Sequence, residues 1–127
     1  PDPDGSERYR GIDIRVDDHK NPFQELRRIL NMVYSRQYSR LATRLANENN
    51  LNEAIEAQTR AIELNPTRDQ LVYNLAGLYA RAGNRTNALQ SLERAVQMHP
   101  RWKQEAADDA AFESLRNDPD FQSLISE

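Results

Sequence analysis

At 127 residues, with 38% hydrophobic and 29% charged residues and a mean hydropathy of −0.90, the chain is one small domain or one domain with a tail, and its composition suits a thin helical array better than a globule with a deep core. No apolar run approaches membrane-spanning length, and with no cysteine there are no disulfides or thiolate metal sites, and the redox compartment is unreadable. A net charge of −3 argues against general nucleic-acid binding.

Residues 1–10, PDPDGSERYR, read as a flexible lead-in. Starting without Met or an apolar signal segment, the chain is expected to be a processed product or an excised fragment. Ile12 to Val16 alternates apolar and polar residues, the period of a half-buried strand, and nothing else in the chain offers it a partner strand. It either joins a sheet from an upstream domain or a second copy, or runs as an extended linker against the helices. The surrounding run IDIRVDDHKNPFQELRRIL resembles the close of the catalytic-type domain in a bacterial family of unknown function, whose fold is similar to N-terminal-nucleophile hydrolases. The residues that carry the resemblance are Ile14, Arg15, Val16, Asp17, Asp18, His19, Pro22, Glu25, Leu26, Arg28 and Ile29. It implies that this chain is the C-terminal portion of such a protein, with any nucleophile upstream.

Asn21-Pro22 predicts a helix start, with Asn capping and Pro preset for the first turn. Apolar residues then recur in steps of three and four from Phe23 to Leu45, predicting one helix of about 27 residues, roughly 40 Å long. Its first half carries Phe23, Leu26, Ile29, Leu30 and Val33 on one side. Leaving each of these exposed forfeits roughly 1.5–3 kcal/mol, so helices of the same chain, a second subunit or an upstream domain is expected to cover them.

Residues 50–65 predict a second helix, with Leu51, Ala54, Ile55, Ala61, Ile62 and Leu64 as its buried set, ended by Pro66. Thr67 and Gln70 then give a capping-box signature, Gly83 is placed to end the third helix in a left-handed conformation, and Thr86 is placed to cap the fourth. In Leu71 to Pro100, Val72, Leu75, Ala76, Tyr79, Ala88, Leu92 and Pro100 follow the frame W-x2-L-G-x2-Y, A-x3-F, P. Thirty-four residues earlier the same frame lands on Tyr38, Leu41, Ala42, Leu45, Ala54, Gln58, Ala61 and Pro66. Two registered copies resemble tetratricopeptide repeats, at about 35–68 and 69–102. Beyond them, Ala106, Asp109, Phe112, Leu115, Arg116, Asp118, Pro119 and Phe121 resemble the closing element often found after such arrays, and Asp118-Pro119 reads as a cap and first-turn pair. The expected fold is therefore all-α: a short strand or extended segment (12–16) within a lead-in of residues 1–20, then a tetratricopeptide-like array over 21–127 whose cap spans 103–127.

Catalytic chemistry has little support. His19 and His99 lack metal-ligand spacing, and His99 suits the dipole at a helix C-terminus. Asp17-Asp18-His19 reads as a turn cap before it reads as an acid/base or metal cluster, and Asp108-Asp109 also reads as a turn-and-cap pair. No phosphate loop, GxSxG or Cys-His pair is present. No catalytic residue, metal or cofactor is assigned.

Binding has more support. The family resemblance implies a concave groove lined by Arg36, Ser39, Arg40 and Thr43 from the first repeat and by Gln70, Tyr73, Asn74, Gly77 and Arg81 from the second. Ser39, Thr43 and Gly77 depart from the residues with which some members grip a terminal carboxylate, which argues against chaperone-tail binding. Residues 22–46 hold five arginines against one acid, while residues 101–127 hold three bases and seven acids, and an arginine stripe can grip carboxylates or phosphates. The leading expectation is a protein-interaction module with a protein or peptide partner, no nucleic acid and no membrane, in the cytoplasm. One alternative is a homodimer built on Phe23, Leu26, Ile29, Leu30 and Val33. Another is an accessory part of a hydrolase-like enzyme, in which Asp17, Asp18 and His19 complete a site of the missing domain.

Overall fold

The computed structural model describes residues 22–126, and every regular element among them is helical. The expected strand at 12–16, the Asp17-Asp18-His19 cluster and the Asn21 cap lie outside the described residues. The elements in order are α1 (Pro22–Asn47), α2 (Leu51–Leu64), α3 (Asp69–Arg81), α4 (Arg85–Met98), α5 (Trp102–Asp108), a 3-10 helix (Ala110–Leu115) and α6 (Pro119–Ile125). The chain divides into two compact units at residue 30. In the first, the described residues are 22–30, the opening of α1, where Phe23, Leu26, Ile29 and Leu30 are exposed, Phe23 at 77%. There Arg28 donates to Glu25 one turn away at 2.5 Å. The rest of the fold belongs to the second unit.

Helix ends follow from local chemistry, and two of them are the same motif repeated. Asn49 (φ 66°) and Gly83 (φ 84°), thirty-four residues apart, both take the left-handed conformation. Asn50 N–H donates to the Leu45 carbonyl and Asn84 N–H to the Tyr79 carbonyl, so α1 and α3 stop with the same satisfied carbonyls. The expected starts of α3 and α4 need correction. Arg68, not Thr67, occupies the N-cap of α3 and makes no side-chain cap bond. The α4 cap is Asn84, whose side chain accepts from Asn87 N–H, because the turn closes two residues before Thr86. Asp118 behaves as expected: it accepts from the Asp120 and Phe121 amides with Pro119 in the first turn.

Alanines allow close helix packing. Ala42 and Ala46 of α1 meet Ala54 and Ala57 of α2 in a cluster closed by Leu78 of α3. Ala54 and Ala88 hold matching places in the two repeats, as do Ala61 and Ala95, and all four are fully buried. Leu51, Ile55 and Leu64, expected in the core, are only half-buried, while Gln58 is buried in their stead. Gln58 takes the frame position that Leu92 fills in the second repeat. Its amide donates to the Leu71 carbonyl at 3.0 Å and its carbonyl accepts from Ser39 Oγ at 3.2 Å, so the buried polar group is satisfied and ties α1, α2 and α3 together. Ser35, also buried, donates to the Ala61 carbonyl at 2.8 Å.

The C-terminal third supplies the two largest fully buried side chains of the described core. Phe112 and Phe121 are fully buried and stacked at 5.6 Å, and each contributes roughly 1.5–3 kcal/mol by burial. Arg116 pins the segment internally, donating to the carbonyls of Ala107 (2.5 Å) and Asp109 (2.8 Å). Arg85 of α4 pairs with Asp118 and Asp120 at the start of α6. Phe112, Arg116, Asp118 and Phe121, four of the residues that suggested a closing element, therefore each have a physical task.

Candidate functional site

The first-repeat residues face an open cleft. Arg36, Ser39, Arg40 and Thr43 project from successive turns of α1, and Asn65 and Arg68 of the α2–α3 connection with Leu71 of α3 close the other wall around a volume of about 240 Å³. Arg36 and Arg40 are one helical turn apart, and Arg68 arrives from a turn set by Pro66. The hydroxyl hydrogens are committed inside the protein: Ser39 donates to Gln58, and Thr43 donates to the Ser39 carbonyl at 3.2 Å. Donation into the cleft therefore falls to the guanidinium groups and the Asn65 amide.

The second-repeat residues meet something else. Tyr73 is 5% exposed and stacks on Trp102 of α5, with ring centroids 4.3 Å apart, and its ring also packs at a tilt against Phe112. Its hydroxyl donates to Asp109 Oδ2 at 2.6 Å. Burial, reinforced by the Asp109 carboxylate, pushes the phenol far above its ordinary range, so Tyr73 stays a neutral donor. A Cβ at Gly77 would lie 3.3 Å from the Ala111 Cβ, a distance that only the missing side chain makes comfortable. Ser114 Oγ reaches the Ala80 carbonyl at 3.5 Å. Trp102 of α5 thus packs on Tyr73 and Ala111 of the 3-10 helix on Gly77, while both residues also border a cleft.

Between these regions, Thr43, Tyr73, Asn74, Gly77 and Arg81 border a second cleft of about 210 Å³, with Asp109 and Ala111 of the cap on its rim. Arg81 donates to the Ala46 carbonyl at 3.2 Å, so it helps finish the last turn of α1. Gln70 is exposed and borders neither cleft. Arg68 and Asn65 were missed because the repeat frame counts groove residues on helices, while these two sit in a connection. Gln58 was legible as a polar residue at an apolar frame position.

On α1, Val33 is exposed, as are Met32, Tyr34 and Tyr38. Among the described residues, no three His, Asp or Glu side chains are grouped to hold a metal ion, and no helix is long and apolar enough to cross a membrane.

The family model described as Tetratricopeptide repeat matches residues 37–68 and again 69–101, together just over half of the chain. No curated protein and no solved structure matches it.

Proposed function

The chain belongs to the tetratricopeptide repeat family, and from that premise we propose that it is a protein-interaction module holding an extended segment of a partner protein in the half of its groove that its own cap leaves open. The observation that carries this reading is the contrast at the groove positions. Arg36, Ser39, Arg40 and Thr43 line an open cleft, whereas Tyr73 and Gly77 are covered by residues 102–115. Peptides selected from a random display library on the full chain should lose binding when Thr43→Trp fills the cleft, with the thermal midpoint unchanged. Selected peptides that bind Thr43→Trp as well as the parent would overturn the reading.

A second reading rests on exposure: Phe23, Leu26, Ile29, Leu30 and Val33 are all at the surface, and a second copy of the chain is a natural cover for them. Light scattering over a hundredfold dilution should then show a dimer that Leu26→Asp converts to a monomer. The likeness of residues 14–29 to the end of a hydrolase-like domain supports a wider setting in which the repeats accompany such a domain. In that setting, hydrolysis by the intact protein that Asp18→Ala abolishes without unfolding would mark the Asp17-Asp18-His19 segment as part of its site.

A further inference from the structure

We propose that the Arg36–Arg40–Arg68 cleft is an oxyanion site that selects a partner segment with acidic side chains at alternate positions; this rests on the groove reading above. Three guanidinium groups border one cleft of about 240 Å³, and no carboxylate stands in its lining. The chain pairs other arginines with acids: Arg60 with Glu63, Arg85 with Asp118 and Asp120, and Arg101 with Asp69. Arg36, Arg40 and Arg68 have no ion-pair partner among the described residues, and all three are exposed. Arg36 and Arg40, four residues apart on α1, stand closer along the helix than the Debye length of about 8 Å at physiological salt, so their charges are only partly screened from each other.

The chemistry of the wall narrows the ligand. Because Ser39 and Thr43 spend their hydrogens inside the protein, the cleft offers charged donors almost alone, and planar guanidinium forks match carboxylate and phosphoryl oxygens. Arg36 and Arg40 stand about 6 Å apart along the helix axis, from four residues at 1.5 Å each. An extended peptide repeats its side chains on one face about every 6.5–7 Å. Acids at positions i and i+2 of such a segment therefore meet successive arginines, and Arg68 across the cleft meets whichever oxyanion lies deepest.

The test is fluorescence anisotropy on the full chain with three labelled decapeptides: alternating Glu-Ala, the same with Gln for Glu, and the same with phosphoserine for Glu. The Glu peptide should bind at least about tenfold more tightly than the Gln peptide, weaken as salt rises, and lose about tenfold with Arg68→Glu at an unchanged thermal midpoint. Tighter binding of the phosphoserine peptide would assign the site to phosphoryl groups, and weaker binding to carboxylates; either supports the proposal. Equal affinity for the Gln peptide, or indifference to Arg68→Glu, would overturn it. So would a labelled uridine decamer that binds as well as the Glu peptide, since the site would then read polyanions. If library-selected neutral peptides still bind and Thr43→Trp removes them, the groove reading survives while this proposal falls.

Discussion

Positions thirty-four residues apart in the repeat frame carry Ser39 and Tyr73, and Thr43 and Gly77, and both pairs have parted company. In the first repeat the members face an open cleft, whereas in the second Tyr73 is locked under Trp102 and Gly77 lies against Ala111. The helices that bear them differ in the same way. α3 buries Leu71, Val72, Tyr73, Leu75, Ala76, Gly77, Leu78 and Ala80, but α1 buries only Ser35, Ala42 and Ala46. A place in a repeat frame thus fixes the direction of a side chain, while the next element in the chain decides whether that direction leads to solvent or to protein.

The contrast can be broken most forcefully from the cap side. Phe112→Ala empties a fully buried site and should cost about 3–5 kcal/mol in denaturant unfolding, with the Tyr73 fluorescence environment turning aqueous before the repeats melt. Gln58→Ala removes a buried side chain together with its bonds to Ser39 and Leu71, and should cost about 2–4 kcal/mol. That loss would fall on the first repeat, where the polar thread stands in for the aromatic packing of the second. Smaller effects sit at the twin helix ends. Gly83→Ala should lose about 1 kcal/mol from left-handed strain, while Asn49→Gly should gain a few tenths, as read by chemical denaturation.

Titration sharpens the contrast further. The Arg85 guanidinium holds the Asp118 carboxyl at about 2, below its unfolded value of roughly 3.9. A depressed carboxyl contributes stability that is present above the unfolded value and lost as pH falls through the folded one, so the cap should loosen between about pH 4 and pH 2. Thermal scans of the parent and Asp118→Asn across that window should converge at the acid end. The effect is modest because Arg85 is about half exposed, at 47%. The smallest expected change is in stability on reversing Arg36 and Arg40 to Glu, which should stay within about 0.5 kcal/mol because both are exposed and lack ion-pair partners among the described residues.

Much of this was legible from residues whose role is local. Gly83 requires a left-handed turn, Pro66 stops α2, Asp118-Pro119 starts α6, and the alanines at 54, 61, 88 and 95 mark close helix approach. What stayed hidden depends on where distant segments land. Tyr73 gave no sign of being capped, because the stacking partner Trp102 lies in a later helix and Asp109 later still. Arg68 drew no notice in the sequence because only the path of the α2–α3 turn brings it to the same cleft as Arg36 and Arg40. Thr67 and Thr86 matched capping signatures, but Arg68 and Asn84 occupy the caps, since a signature tolerates a shift of a residue or two that the packed helices do not.

The contact between Gly77 and Ala111 also bears on assembly. Open filaments grow when one face of a subunit fits a different face of the next, so both faces must be vacant. Here the face beyond α3 that a further helical pair would use is occupied by residues 102–115 of the same chain. Head-to-tail stacking of a second copy through that face is therefore closed, and the cap works as a terminator of the array.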